Sequence, residues 1–164
     1  MTQKENVYAL SQALGQRLKN QALLLALAES CTGGGLAETI TDVPGSSAWF
    51  DRGFVTYSNA AKMDMLGVQR VTLTQYGAVS SQVALEMCHG ALINSQADLA
   101  IAVTGIAGPD GGSPEKPVGT VFIALQRRGQ QALCSKQLFN GDRHAIRHQV
   151  IIFCLQQALS LLEE

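Results

Sequence analysis

Charge is scarce in this sequence and nearly balanced in sign. Asp, Glu, Lys and Arg make up 15% of the 164 residues, and the formal net charge is −1. A near-neutral chain lacks the basic footprint that binds phosphate backbones, so nucleic acid is not an expected partner. No apolar run approaches the ~20 residues that a membrane-spanning helix needs, so no membrane partner is expected either. The opening Met1-Thr2-Gln3-Lys4-Glu5-Asn6 has none of the apolar core of a signal peptide. The four cysteines, Cys31, Cys88, Cys134 and Cys154, form no C-x-x-C pair. A cytoplasmic protein with reduced thiols is the expectation. Several catalytic signatures are missing as well. Gly-x-Gly-x-x-Gly, a Walker loop ending in Gly-Lys-Ser/Thr, Gly-x-Ser-x-Gly and His-Glu-x-x-His do not occur.

What is present is a globular composition, 46% hydrophobic, in a chain long enough for one sizeable core. Val7, Leu10, Leu14 and Leu18 recur at helical spacing and predict a helix over residues 4–20. The apolar run over 22–28 predicts a strand buried on both faces. A short helix over 34–42 stops before Pro44. Residues 49–58 read as a strand or hairpin. Asn59 is the expected cap of a helix over 60–66, residues 68–79 are a connector, and a helix starts at Ser80 or Ser81. Residues 99–103 form a second apolar strand. Strands over 119–125 and 131–139 flank the turn Arg127-Arg128-Gly129-Gln130, and Asp142 caps a final helix. Interleaved helices and strands with one late hairpin predict a single-domain three-layer α/β/α sandwich with a mixed β-sheet.

In such sheets ligands gather at the carboxyl ends of strands. The first apolar strand runs into Glu29-Ser30-Cys31-Thr32-Gly33-Gly34-Gly35, a polar then glycine-rich turn before a helix. Backbone N–H groups left free there suit a phosphate or a developing oxyanion. Ser30 is the candidate nucleophile. The second apolar strand also ends in polar Thr104 and Gly105, followed by a Gly/Pro-rich segment to Pro117 that reads as a binding loop. No histidine is an evident base. His144 and His148, at i,i+4, have no third ligand in view, and a solvated helix face accounts for them. A lysine can serve as base if burial makes it neutral. Among Lys4, Lys19, Lys62, Lys116 and Lys136, only Lys62 sits in an otherwise apolar stretch. Ser113-x-x-Lys116 fits a penicillin-binding pattern, but its prolines oppose the helix that the pattern needs. Ser58, i,i+4 from Lys62, reads as a turn or cap. Arg143 and Arg147 share a helix start, where cations oppose the dipole. They are either anion ligands or salt-bridge partners of Asp142 or Glu29.

Ordered motifs now carry a resemblance. They are Ala28-Glu29-Ser30-Cys31-Thr32-Gly33-Gly34, Pro44-Gly45-Ser46-Ser47, Tyr57-Ser58-Asn59 with Lys62, Leu66-Gly67-Val68 and Gly77-Ala78-Val79-Ser80. Thr104-Gly105-Ile106-Ala107-Gly108-Pro109, Lys116-Pro117-Val118-Gly119 and Gly141-Asp142-Arg143 follow. Across nearly the whole chain the sequence resembles the CinA C-terminal domain family, the bacterial nicotinamide-nucleotide amidases. The resemblance implies one amidase-type domain over 1–164 that hydrolyses nicotinamide mononucleotide to nicotinate mononucleotide and ammonia, in pyridine-nucleotide recycling, with no metal or cofactor. It implies Ser30 as nucleophile, Lys62 as base, and Tyr57, Thr104 and Arg143 as supporting polar residues. Cys31, Thr32, Gly33 and Gly34, with Thr104 beside them, would hold the oxyanion, and Gly105, Arg143 and Arg147 the ribose and phosphate. Phe50 or Tyr57 would stack on the ring. A homodimer is expected as the commonest assembly. Two other classes fit the same motifs: a pyridine-nucleotide sensor without turnover, and an adaptor in competence or damage responses.

Overall fold

The apolar strands alternate large and small side chains, and that alternation sets the layers. The computed structural model describes residues 2–163. Its elements are α1 (Gln3–Asn20), β1 (Leu25–Glu29), α2 (Gly35–Thr41), β2 (Phe50–Val55), α3 (Asn59–Leu66), α4 (Arg70–Tyr76), α5 (Ser81–Ile93), β3 (Leu99–Gly105), β4 (Thr120–Arg127), β5 (Leu133–Leu138) and α6 (Arg143–Leu161). The sheet order is β2-β1-β3-β4-β5. β2, β1 and β3 are parallel, whereas β4 and β5 pair antiparallel, so the sheet is mixed. Helices cover both faces, as the three-layer expectation requires.

Successive residues of a strand point to opposite faces. Leu25, Leu27, Leu99, Ile101, Val103, Val121, Ile123 and Leu125 face one side and pack with α1, α2 and α6. Ala26, Ala28, Ala100, Ala102 and Ala124 face the other, against Val83, Ala84, Met87 and Cys88 of α5. The alanine face lets α5 lie close to the sheet. Gly90 on α5 repeats the device one layer out: a methyl group there would collide with the Leu66 carbonyl at the end of α3.

The structure sharpens or shifts the sequence reading at several points. The first strand starts at Leu25 instead of 22, because α1 ends through Ala22 in the left-handed region (φ 55°), with Leu23 N–H donating to Leu18 O at 2.9 Å. Residues 49–58 hold one parallel edge strand, not a hairpin. The 68–79 connector contains α4. Its sequence, rich in β-branched Val71, Thr72 and Thr74, has little helical bias of its own. Glu86 of α5 supplies the missing cap, accepting from Gln69 N at 2.9 Å and from Thr72 Oγ1 at 2.6 Å. Ser58, one residue before the expected Asn59, caps α3 by accepting from Ala61 N at 3.0 Å. Asp142 caps α6 as expected, accepting from Ala145 N at 2.8 Å.

Gly90→Ala tests the close approach of α5 and α3. Overpacking at a backbone contact costs about 1–3 kcal/mol. The urea midpoint is expected to fall accordingly, with an unchanged denaturant slope.

Candidate active site

β1 is flanked by two parallel neighbours, and all three carboxyl ends open on one edge of the sheet. The β pairing continues one residue past β1. Ser30 N–H donates to Val103 O at 3.1 Å, and Thr56 N–H donates to Glu29 O at 2.8 Å. Ser30 is thereby fixed between the ends of β2 and β3. The chain then turns sharply, with Gly33 N–H donating to Ser30 O at 2.9 Å. Gly33 and Gly34 have φ of +58° and +98°, which other residues rarely adopt. Glu29, fully buried, secures the helix beyond the turn: its two carboxylate oxygens accept from Leu36 N at 2.9 Å and Ala37 N at 3.0 Å. The N–H groups of Cys31, Thr32 and Gly34 donate to no acceptor among the described residues. Of the three residues, Cys31 lines the cavity described below, where a free N–H can meet a ligand oxygen.

α3 delivers Lys62 to this turn from the opposite side. Its side chain is 1% exposed, and its Nζ lies 3.0 Å from Ser30 Oγ, 2.9 Å from Thr56 O and 3.4 Å from Tyr57 O. No carboxylate of the described residues lies within ion-pairing distance. Burial pushes the Lys62 amine below the ordinary lysine value of 10.5. A neutral amine has two hydrogens and one lone pair. In that form the two carbonyls, which can only accept, take the hydrogens and leave the lone pair for the Ser30 hydroxyl, whereas the ammonium gives its third hydrogen to Ser30 Oγ. Cys31 beside it is no rival nucleophile, because burial pushes its thiol up to about 11.

Ser30, Lys62, Cys31, Tyr57, Thr104, Gly105 and Arg143 line one cavity of about 280 Å³. Asn59, Ala78, Val79 and Asp110 line it as well; the sequence marks Asn59 only as a cap and Asp110 only as part of the binding loop. Ala78 and Val79 lie in the quoted Gly77–Ser80 motif, and Asp110 in the Gly/Pro-rich loop, but neither spot carries a chemical signal of its own. Arg143 crosses the mouth, donating from Nη1 to Gly108 O at 2.7 Å and from Nη2 to the Tyr57 hydroxyl at 3.0 Å. The Tyr57 phenolic proton stays free to face a ligand. Thr104 differs from its expected use: its single hydroxyl proton goes to Ala78 O at 2.8 Å. It therefore offers the cavity an acceptor and not an oxyanion donor.

Five expected members do not line the cavity: Thr32, Gly33 and Gly34, further along the turn, and Phe50 and Arg147. Phe50 begins β2 opposite Leu25, at the far end of the sheet from Ser30, because β2 runs parallel to β1. Arg147 lies behind the turn, where Nη2 donates to Thr32 O at 2.9 Å, and it lines a separate cavity with His144 and His148. Neither arginine pairs with Asp142 or Glu29. The described ion pairs are Arg17–Glu163 and Arg52–Asp51. The Thr32 hydroxyl is buried without a partner among the described residues, and its carbonyl braces Arg147. Lys116 turns away to Tyr76 O at 2.8 Å, and Ser113 and Lys116 share no helix. No group of three or more His, Cys, Asp or Glu among the described residues is placed to hold a metal.

Burial of Lys62 has a stability signature. Its folded proton affinity is lowered, so between that value and 10.5 the unfolded chain binds more protons, and folding strengthens as pH rises. Lys62→Met, apolar and of similar length, removes this term. The variant is expected to exceed the parent in denaturant stability most at neutral pH and below, with the gap closing towards pH 10.5.

Both the sequence and the fold match known proteins. Residues 7–164 match the family model described as CinA C-terminal domain. Proteins named nicotinamide-nucleotide amidohydrolase PncC from Enterobacter agglomerans and Escherichia coli (strain K12) are 55% and 52% identical over 156 residues. These matches cover 95% of this chain and 95% and 94% of the relatives. A CinA-like protein of Geotalea daltonii is 57% identical over 79% of this chain but only 31% of its own length. The crystal structure of the competence/damage inducible protein CihA from Agrobacterium tumefaciens has a TM-score of 0.93 at 46% identity, covering 97% of this chain and 96% of that one. The chain belongs to the CinA C-terminal domain family.

Proposed function

We propose that this chain is an amidohydrolase that converts nicotinamide mononucleotide to nicotinate mononucleotide and ammonia, as a step of pyridine-nucleotide recycling. The observation that carries the reading is the 3.0 Å approach of the buried Lys62 amine to Ser30 Oγ, with unpaired N–H groups in the adjoining turn. The names of the relatives at 55% and 52% identity support the substrate.

In this mechanism neutral Lys62 takes the Ser30 proton as Oγ attacks the amide carbon. The oxyanion is held by N–H groups of the Cys31–Gly34 turn. The Thr104 oxygen accepts from the substrate's amide N–H. The lysine ammonium then protonates the departing nitrogen, which leaves as ammonia, and a nicotinoyl ester remains on Ser30. Lys62, neutral again, takes a proton from water. The hydroxide cleaves the ester, and the proton returns to Ser30. Arg143 at the cavity mouth holds the phosphate, which fixes the amide against Ser30.

Ser30→Ala is expected to lower ammonia release from nicotinamide mononucleotide by about three orders of magnitude or more, and Lys62→Met by about 10²–10⁴-fold. Arg143→Ala is expected to raise KM more than it lowers kcat. Ammonia release at the parent rate from Ser30→Ala would remove the nucleophile. Absence of turnover in the parent, with saturable nucleotide binding, would make the chain a sensor.

A further inference from the structure

Any carboxamide that reaches Ser30 also brings its ring to an amine that has no carboxylate partner. Reacting atoms approach to about 3–3.5 Å before attack. Lys62 Nζ is 3.0 Å from Ser30 Oγ. In nicotinamide mononucleotide the cationic ring nitrogen lies three bonds from the amide carbon. A productive pose therefore sets that cation on the order of 6–8 Å from Nζ. The charged or titratable groups that share the cavity are few. Cys31 from the β1 turn is a neutral thiol. Tyr57 from the β2–α3 link accepts from Arg143 of α6, which is itself a cation. Asp110 from the β3–β4 loop is exposed to water at the rim, where its charge is screened. Glu29 does not line the cavity, and both of its oxygens face the amides of α2. No group in the cavity offsets a second positive charge beside Lys62.

We propose that the substrate activates its own general base: seating a cationic pyridinium carboxamide expels the proton of Lys62 to solvent, whereas a neutral-ring amide leaves it in place. This rests on the amidase reading above and deepens it, because it makes ring charge a determinant of which amides are cleaved. The balance is simple. The ammonium of Lys62 loses one proton to the buffer, no covalent bond to the substrate forms, and the freed lone pair accepts from Ser30. At an effective dielectric of about 20, a cation at that separation lowers the proton affinity of the amine by about 1.5–2 pH units. Ribose and phosphate contacts, common to both kinds of ligand, do not enter the discrimination.

The test uses nicotinamide mononucleotide and its 1,4-dihydro form, which keeps the amide, ribose and phosphate but has a neutral ring. Proton release on binding to the Ser30→Ala variant is measured by calorimetry in two buffers, at a pH on the acid limb of the parent's rate profile. The cationic ligand is expected to release several tenths of a proton more per site than the neutral one. That excess is expected to vanish in the Ser30→Ala, Lys62→Met double variant. Protons from the phosphate cancel between the two ligands. Equal release from both, or an excess that survives loss of Lys62, overturns the proposal. The parent enzyme gives an independent reading. The acid limb of kcat is expected about 1.5–2 units below that of kcat/KM for the mononucleotide, and coincident limbs also overturn it. If the parent releases no ammonia from the mononucleotide, the amidase reading itself fails. An active parent with equal proton counts sinks this inference alone.

Discussion

A primary amine buried without an anion holds its proton weakly, and the site is built around one. Lys62 has two carbonyls and one hydroxyl within hydrogen-bonding distance. The ammonium can give one hydrogen to each of the three, whereas the neutral amine gives its two to the carbonyls and turns its lone pair to Ser30. The protonated form would also carry the desolvation cost of an unpaired charge. The carbonyls belong to Thr56 and Tyr57, directly after β2, and the hydroxyl follows β1. The base is therefore defined only when β1, β2 and α3 meet at one edge of the sheet.

The two-sided sheet is what makes that meeting reproducible. Its branched face anchors α1, α2 and α6, and so fixes the turn after Ser30 from one side. Its alanine face admits α5 at short range, and α5 in turn seats α3 through the Gly90–Leu66 contact. Packing that looks remote from the cavity thus sets the position of Lys62. Interiors packed at crystal-like density transmit such constraints with little give.

Much of this was legible in the sequence because the signals are local. The apolar strands ending in Ser30 and Thr104, the Gly33-Gly34 turn and the Asp142 cap each depend on residues within a few positions of one another. Lys62 stood out because it is a lone cation among alanines and methionines. The misses share another cause, which is long-range geometry. α4 is capped by Glu86 from a different helix. Phe50 fell at the wrong end because nothing local tells whether an edge strand runs parallel or antiparallel to its neighbour. Arg143 and Arg147, neighbours on α6, part company at the Thr32 turn, which lies more than a hundred residues away in sequence. The direction of the Thr104 hydroxyl depends on Ala78 O, again a tertiary partner.

Two buried charged side chains, Glu29 and Lys62, flank Ser30, and they are kept from pairing. Had Glu29 reached the amine, it would have held the proton on Lys62 and removed the lone pair that Ser30 needs. Instead both of its oxygens are taken by the Leu36 and Ala37 amides at the start of α2. Those donors compensate the buried carboxylate and, at the same time, pull the glycine turn tight against the end of β1. One acid therefore stiffens the loop that presents the free N–H groups, and by being occupied there it leaves Lys62 without an anionic partner. The absence of a salt bridge between these two groups is a condition for the chemistry proposed at Ser30.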